Sequence, residues 1–415
     1  MPRRSMQSVL ASPINTLSGS CGHESLGVVN TRAAAYALMF GNLITGVTVL
    51  IPAGLMTVLA NGLAVSAREI GLLIAWGGVV LCIGSPLMAW LANSVDRRWL
   101  LTASLAAMTV GAAISAVAPN YEILLVARLA TLALAVIFTP AAAATIAMIV
   151  TERERAKSIS FIFLGWSLAL AAGLPLIALA GDRIGWRATY GAVAVLSLVS
   201  CICVAASVPA GLRAQAMSLA SWASILRNGR VLLLLGVTVL WSGGFYVTFP
   251  YVAPLVGAYL GQGSDTAAML FLVQGVMGFA GNVAATRAVG PFGAYRTAVA
   301  TTAVMFVGAL CWAVAGNIIW VDAIWLMVAG SFCWGLGTAS TNSMIQARLV
   351  ALVPAVASAT VALNTSWLYV GQAGGSWIGG ELLAADLLAW MGPTSAVLMG
   401  GALIAMTASR EIKTR

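Results

Sequence analysis

The stretch that decides the fold reads ATYGAVAVLSLVSCICVAASV, residues 188–208. It contains no Asp, Glu, Lys or Arg, and its apolar residues cover every side of a helix instead of alternating at every second position. About 20 helical residues are needed to cross a hydrocarbon core that is roughly 30 Å thick. The stretch therefore predicts a membrane-spanning helix.

The rest of the chain repeats this pattern. Of its 415 residues, 61% are apolar and 8% are charged, and the mean hydropathy is +0.98, which excludes a water-soluble fold. The apolar stretches are too long and too uniformly apolar for the strands of a membrane β-barrel. We predict an all-α integral membrane protein with twelve transmembrane helices. Spans 1 to 12 are predicted at residues 32–60, 70–92, 99–118, 123–150, 159–180, 188–208, 231–260, 267–289, 297–315, 318–345, 353–380 and 387–408.

The spans divide into two groups of six around a polar connector. The predicted N-terminal half covers residues 32–208, the linker 209–230 and the C-terminal half 231–408, with tails at 1–31 and 409–415. Short basic turns recur at 89–98, after span 2, and at 286–296, after span 8. We therefore predict two pseudo-symmetric halves, a plan common among secondary transporters.

The basic residues set the orientation. If the N-terminus is inside the cell, only Arg68, Arg183 and Arg187 of the 21 basic residues lie in outer segments, and Arg128 lies within span 4. Because Lys and Arg accumulate in cytoplasmic loops, both termini and the linker are predicted to be cytoplasmic. We expect a multi-pass protein of the inner, or plasma, membrane, embedded in lipid as a monomer.

Several function classes are excluded by what the spans contain. The net charge of +9 comes from dispersed residues and not from a basic stripe, so nucleic acid is not an expected partner. The only histidine, His23, lies in the N-terminal tail, and the cysteines have no metal-ligand spacing, so we expect no metal and no cofactor. An enzyme site in the bilayer would need a cluster of His, Cys or carboxylates, and a sensor or scaffold would need a soluble signalling domain. The sequence shows neither.

Polar residues within the spans are the candidates for binding a solute. Arg128 stands out because an arginine at this depth must be paired or hydrated. Two interpretations remain open for it: a cavity-lining group that contacts substrate, or a structural arginine bonded to helix carbonyls. All twelve acidic residues lie in tails, turns or span ends, and Glu122 is the one nearest to Arg128 in its span. Uncharged amides and aromatic rings offer hydrogen bonds and stacking faces for a neutral or amphipathic solute; the candidates are Asn42, Trp76, Tyr246, Gln274, Asn282, Asn342 and Asn364.

A series of short motifs carries a family resemblance. In chain order they are Gly84-Ser85-Pro86-Leu87, Pro119-Asn120-Tyr121-Glu122, Arg128, Arg153-Glu154-Arg155-Ala156, Gly165 with Gly173-Leu174-Pro175, Gly185-Trp186-Arg187, Tyr251-Val252-Ala253-Pro254 and Gly281-Asn282. Together they resemble the major facilitator superfamily, in particular the bacterial sugar and drug efflux permeases of the arabinose efflux and chloramphenicol exporter types.

The resemblance implies a secondary active transporter that works by alternating access between the two halves. It implies export of a small organic solute, such as a drug, a sugar or a related metabolite, by an antiporter coupled to protons, and a substrate or proton role for Arg128. The direction of transport is not written in the sequence, so an uptake permease or facilitator is the alternative. Many relatives have an acid in span 1 near the position of Val49 here. Its absence leaves two alternatives: transport depends less on protons than in relatives, or it uses an acid near the outer face, Glu122, Glu381 or Asp386.

The motifs associated with conformational change depart from the family at four positions in two segments. The turn after span 2 has Ala89, Asn93 and Asp96 where relatives usually have Gly, Asp and Gly, followed here by Arg97 and Arg98. In span 5, Ile177 stands where relatives usually have Gly, and it is expected to keep the neighbouring helix further away.

Other motif residues leave their roles open. Gly165, Gly173 and Pro175 either let span 5 bend or only permit close packing. Arg153 and Arg155, like Arg97 and Arg98, are expected to orient the chain and tie loops together on the inner face.

Overall fold

The computed structural model describes residues 31–91, 95–213, 227–317, 321–353 and 357–410, and every regular element in these ranges is helical. The N-terminal half contains spans 1 to 6. Their helices are Thr31–Gly54 and Met56–Leu63 in span 1, Ala67–Leu91 in span 2, Arg97–Ala116 in span 3, Tyr121–Ala135 and Phe138–Ile149 in span 4, Glu152–Leu168, the π-helix Ala169–Gly173 and Leu174–Ile184 in span 5, and Trp186–Ser207 in span 6.

The C-terminal half contains spans 7 to 12. Span 7 is built from Gly229–Thr248, a 3-10 turn at Phe249–Tyr251 and Val252–Leu260; spans 8 and 9 form the run Ser264–Ala315; span 10 is Val321–Leu352, span 11 is Ala357–Ala384, and span 12 is the 3-10 turn Leu388–Trp390 with Met391–Ala408.

The long run Ser264–Ala315 is two spans joined at a glycine. Its 52 residues far exceed the roughly 20 needed to cross a bilayer. Gly293 interrupts it with φ 79° and ψ 158°, in a region of backbone space that essentially only glycine adopts. The chain reverses there between spans 8 and 9.

The predicted number of helices is confirmed. Within the described residues, ten helices are long and apolar enough to span a membrane, and the run Ser264–Ala315 counts once among them. Splitting that run adds one span, and Ala357–Ala384, a 28-residue helix that falls outside the ten, adds another. The described part of the chain is therefore all-helical and multi-pass, with twelve spans.

The predicted ends agree with the helices to within a few residues, with two exceptions. The first helix of span 5 begins at Glu152, well before the predicted residue 159, and span 10 continues to Leu352, well past residue 345. Hydropathy marks the part of a helix that lies in lipid, and these two helices continue beyond it as charged turns.

Polar side chains define where several spans begin. The Asp96 carboxylate accepts hydrogen bonds from the N–H groups of Arg98 and Trp99 at the start of span 3. Asn120 and Asn228 cap spans 4 and 7 in the same way. Each cap satisfies N–H groups that the first helical turn cannot bond internally.

The two halves meet along two helix pairs, which together form the seam of the protein. Span 2 packs on span 11, with Gly78 close to the backbone of Ala373, and span 5 packs on span 8, with Gly275 close to the backbone of Ala171. Because glycine has no side chain, the two backbones can approach closely at each of these positions.

The short connections alternate between two faces of the bundle. The connections 64–66, 117–120, 185, 261–263 and 385–387 lie on one, which we call the Arg68 face; the described connections 95–96, 150–151 and 208–213 and the turn at Gly293 lie on the other, the Arg97 face. Both described ends of the chain, Thr31 and Arg410, are on the Arg97 face. The N-terminal tail to residue 30, most of the linker and the last five residues fall outside the described ranges.

Candidate functional site

Arg128 is held by backbone carbonyls of two other helices. Its Nε donates to the Leu73 carbonyl at 3.0 Å, Nη1 to that of Thr48 at 3.1 Å and Nη2 to that of Val49 at 2.9 Å. The side chain is 5% exposed, and among the described residues it forms no ion pair. This is the arrangement of the structural interpretation, with Arg128 joining span 4 to spans 1 and 2.

A proline explains why a donor is needed at Thr48. Pro52 lies inside the helix of span 1 and has no N–H, so the carbonyl four residues earlier, that of Thr48, loses its helical partner. A buried carbonyl without a donor is costly, and the Arg128 guanidinium supplies one. Glu122, by contrast, is exposed in the first turn of span 4.

Asn42 is the centre of a hydrogen-bonded group in the N-terminal half. Its amide Nδ2 donates to the Ile162 carbonyl at 3.0 Å, and its Oδ1 accepts from Thr139 at 2.6 Å. Trp166 donates its indole N–H to the Thr139 hydroxyl at 3.1 Å. We call Asn42, Thr139 and Trp166 the N-half network; it links spans 1, 4 and 5.

A matching group lies in the C-terminal half. Thr238 donates to Oδ1 of Asn364 at 2.7 Å, and Nδ2 of Asn364 donates to Oδ1 of Asn342 at 3.0 Å. This C-half network links spans 7, 10 and 11, which are the counterparts of spans 1, 4 and 5. Asn364 and Thr238 are fully buried, whereas Asn342 is half-buried.

Aromatic side chains from opposite halves meet at the seam. Trp166 of span 5 and Tyr369 of span 11 pack in one apolar cluster with Val49 and Leu81, although they come from opposite halves. Tyr246 of span 7 lies near Tyr369 and packs edge-on against Phe249. A member of the N-half network, Trp166, therefore packs beside a ring from the other half.

Other predicted candidates lie elsewhere. Trp76 is 51% exposed, on the same exposed side of span 2 as Ile83 and Leu87 and opposite Gly78, which is the side expected to face lipid. Asn282 accepts a hydrogen bond from Ser343 at 3.0 Å between spans 8 and 10. Gln274 is buried on span 8, where its backbone carbonyl lies close to Gly335.

Sequence reasoning did not single out Thr139 or Thr238. Threonine is common in membrane helices, where it usually bonds the carbonyl four residues earlier, as Thr45 and Thr145 do here. Only the three-dimensional structure shows which threonines turn their hydroxyls to a neighbouring amide.

The basic turn after span 2 is tied to the segment that follows span 6. The free oxygen of the Asp96 carboxylate accepts a hydrogen bond from the Gly211 N–H, and the Arg97 N–H donates to the Leu212 carbonyl at 2.8 Å. Arg97 is buried and Arg98 exposed, and Asn93 lies outside the described residues.

At the turn before span 5, Arg155 donates to the Ala147 carbonyl at 3.2 Å and lies 3.7 Å from Glu152, which ties span 5 to the end of span 4. Arg153 is exposed.

Span 5 combines close packing with a local change of helix type. Gly165 lies against the backbone of span 1 near Met39, and Gly173 lies against Val47. The π-helix Ala169–Gly173 directly precedes Pro175, and its Ala171 is the residue that meets Gly275 of span 8. The same segment therefore contains both the irregular geometry that bending of span 5 would use and glycines that permit close packing.

Ile177 does not push span 1 away as expected. Its Cγ2 lies 2.9 Å from the position where a Cβ would stand on Gly54. The glycine needed for close approach is on the partner helix instead.

The Arg68 face is closed by contacts between the halves. Arg68 of span 2 forms an ion pair with Glu381 of span 11, with Nη2 at 2.5 Å and Nε at 3.1 Å from Oε1. Below it, the buried Tyr251 of span 7 donates to the Ser376 carbonyl at 2.5 Å. Gly379 leaves room for the ring. We call this group the Arg68–Glu381 latch; the sequence had placed both charges on this face but did not predict their pairing.

Comparison with known proteins is consistent with this architecture. Residues 38–376 match the sequence model of the Major Facilitator Superfamily. The inner membrane transport protein YdhP of Escherichia coli is 31% identical over 220 residues, which cover 53% of this chain and 57% of YdhP, so this chain spans little more than half the length of that relative. A protein named probable sugar efflux transporter from Mannheimia succiniciproducens is 26% identical over 370 residues, 87% of this chain and 89% of its own length.

Two solved structures share the fold at low sequence identity. The nucleoside transporter NupG, as its D323A mutant, aligns with a TM-score of 0.74 at 12% identity and covers 92% of this chain and 100% of its own. The human organic anion transporter MFSD10 aligns with a TM-score of 0.67 at 15% identity, covering 91% and 99%. With the family match spanning most of the sequence, the chain belongs to the major facilitator superfamily, and the relatives named above are themselves named as transporters.

Proposed function

We propose that this protein exports a small, uncharged organic solute, such as a sugar or a drug, from the cell by alternating access. Its two halves would rock about the seam, so that a central site opens to one side of the inner membrane at a time. The similarity to a protein named as a probable sugar efflux transporter supports export.

The observation that carries the proposal is the pair of matching networks on spans 1, 4 and 5 and on spans 7, 10 and 11. Amides, hydroxyls and an indole N–H both donate and accept hydrogen bonds without carrying charge. The half-buried Trp166, Tyr246 and Tyr369 add flat apolar faces beside them. Such a lining suits a polyhydroxylated or amphipathic neutral solute better than an ion.

The orientation follows from charge. Within the described residues, Arg68, Arg183 and Arg187 are the basic residues at the Arg68 face, whereas Arg97, Arg98, Arg153 and Arg155 are among the many at the opposite face. We therefore place the Arg97 face and both termini in the cytoplasm. The closed latch then lies outside, and this structure corresponds to the state closed to the exterior.

Coupling to protons would use an acid near a span end. Among the described acids, Glu381 is the one that links the two halves. Its protonation would remove the charge that holds Arg68, which would connect proton binding to opening of the latch.

A two-stage experiment tests the proposal. Accumulation of radiolabelled or fluorescent sugars, nucleosides and antibiotics is first measured in an efflux-deficient strain with and without the protein; lowered accumulation of at least one neutral solute is expected. Asn342→Ala is then expected to reduce transport of that solute about tenfold or more, because the C-half network loses its half-buried amide.

Asn282→Ala is the matched control, because it removes the same amide from span 8, outside both networks. Equal losses in the two variants, at equal amounts of folded protein, would contradict the assignment of the site. Raised accumulation of the solute in cells that make the protein would contradict export.

A further inference from the structure

A small cavity lies within the helices of the N-terminal half. It has a volume of about 20 Å³, enough for about one water molecule or a small ion, and lies between spans 1, 3, 4 and 6. Its polar lining consists of Thr48, Ser115, Arg128, Thr131 and Tyr190, and the remaining lining residues are apolar or glycine. No carboxylate is among the described residues that line it.

Two hydroxyls at this cavity have no hydrogen-bond partner. The Tyr190 hydroxyl and the Thr48 Oγ1 are both buried, and neither bonds any described residue. Tyr190 is 4% exposed and Thr48 is 8% exposed. Buried polar groups in proteins are nearly always satisfied, so two such hydroxyls on one polar cavity point to an occupant, either a water molecule or an ion.

Arg128 brings unused donors and an uncompensated charge to the same place. A guanidinium has five N–H donors, and three bonds to carbonyls account for three of them. One N–H on each of Nη1 and Nη2 therefore remains. The three carbonyl dipoles lower the cost of burying the charge but do not neutralise it.

The lining therefore offers up to four unused donors beside one buried positive charge. Thr131 and Ser115 donate their own hydroxyl protons to the carbonyls of Ala127 and Gly111, at 2.6 Å and 2.7 Å, and turning either hydroxyl would add a further donor. Donors in excess and a cation in apolar surroundings suit a ligand that only accepts hydrogen bonds.

We propose that this cavity binds a monovalent anion of about the size of chloride, held by Arg128, Tyr190 and Thr48. The anion neutralises the buried guanidinium and ties span 6 to spans 1 and 4. The site shares no residue with either hydrogen-bonded network and does not depend on the function proposed for them.

Thermal unfolding of the purified full-length protein tests this, with chloride, bromide or gluconate varied at constant ionic strength and pH. We expect chloride and bromide to raise the midpoint of unfolding in a saturable way and gluconate, which is too large, to leave it unchanged. Tyr190→Phe keeps the ring and removes the hydroxyl, so the half-saturating chloride concentration is expected to rise about tenfold.

Thr48→Val provides a second test, because it replaces a hydroxyl with a methyl of similar size and leaves the Thr48 backbone carbonyl in place; it should shift half-saturation in the same direction. Tyr36→Phe, at a tyrosine that is 60% exposed in the same half, should leave it unchanged. Identical unfolding of the wild type in chloride and gluconate would overturn the proposal and leave a water molecule as the occupant. Unchanged halide affinity in both Tyr190→Phe and Thr48→Val would also overturn it, by placing the ion elsewhere.

Discussion

At the scale of single residues, a proline within a helix and a buried arginine compensate each other. A proline in span 1 removes a hydrogen bond from the Thr48 carbonyl, and an arginine in span 4 replaces it. Each would be costly alone in a membrane: the carbonyl because it lacks a donor, and the guanidinium because it lacks a counter-charge.

This pairing predicts coupling between positions 52 and 128. Arg128→Lys is expected to lower the free energy of unfolding by about 2 kcal/mol, because a lysine cannot fork to three carbonyls. Pro52→Ala returns an N–H for the Thr48 carbonyl. The double variant should therefore be more stable than the sum of the single effects, by about 1 kcal/mol, as measured by a double-mutant cycle of thermal or denaturant unfolding.

Pro86→Ala is the control for that cycle. Pro86 also lies inside a helix, that of span 2, but none of the three carbonyls that Arg128 bonds lies four residues before it. Its combination with Arg128→Lys should be additive. Equal coupling for the two prolines, or none for either, would contradict the pairing.

The sequence could identify Arg128 as exceptional but not choose between its two roles. Depth in the membrane shows that a partner is required, whereas the identity of the partner depends on how spans 1, 2 and 4 are turned toward one another. The same limit applies to Trp76 and Asn42, which looked equivalent in the sequence. One lies on the exposed side of span 2 and the other at the centre of the N-half network.

At the scale of the elements, span 5 is the helix that departs most from regular geometry. Its π-helix stands immediately before Pro175 and places Ala171 against Gly275 of span 8. Helices with π-turns and prolines often change direction at functional positions. Here the irregular segment is also one of the places where the halves touch.

The close contact between spans 5 and 8 predicts different effects on stability and transport when two glycines one turn apart in span 8 are replaced. A Cβ on Gly275 would overlap the backbone of Ala171, whereas a Cβ on Gly278 would have its nearest neighbour, the Gly335 carbonyl oxygen, at a comfortable 3.7 Å. Gly275→Ala should destabilise the protein by about 1 to 3 kcal/mol and reduce transport, because overpacking forces the halves apart.

Gly278→Ala should change the free energy of unfolding by less than about 1 kcal/mol in either direction. Thermal unfolding and transport in vesicles, compared at equal amounts of monodisperse protein, measure both variants. Similar behaviour of the two would show that spans 5 and 8 are not in close contact in the membrane.

The elements themselves could be predicted well, because hydropathy reports directly how long each helix stays in lipid. Charge clusters and glycines marked most turns, including the one at Gly293. The ends of span 5 and span 10 could not be predicted this way, since a helix continues past the lipid wherever its backbone remains bonded. Contacts between helices, such as Ile177 packing into the space left by Gly54, need both partners in three dimensions.

At the scale of the whole molecule, the two halves are held in one relative arrangement by two different kinds of contact. Glycine crossings between spans 2 and 11 and between spans 5 and 8 allow the halves to slide closely past each other. The Arg68–Glu381 latch and Tyr251 close one face by directional bonds. An ion pair whose side chains are 38% and 40% exposed is weak enough to break in each cycle.

Alternating access requires the Arg68 face to open during transport. The most direct test of this requirement is reversible cross-linking of Arg68→Cys with Glu381→Cys by a short bifunctional thiol reagent, in a variant whose native cysteines are replaced, with transport measured in vesicles before and after reduction. The pair Glu69→Cys and Tyr121→Cys, on the same face but within one half, is the control. We expect cross-linking between the halves to abolish transport, reduction to restore it, and the control pair to keep its activity. Undiminished transport by fully cross-linked Arg68→Cys and Glu381→Cys protein would contradict that requirement.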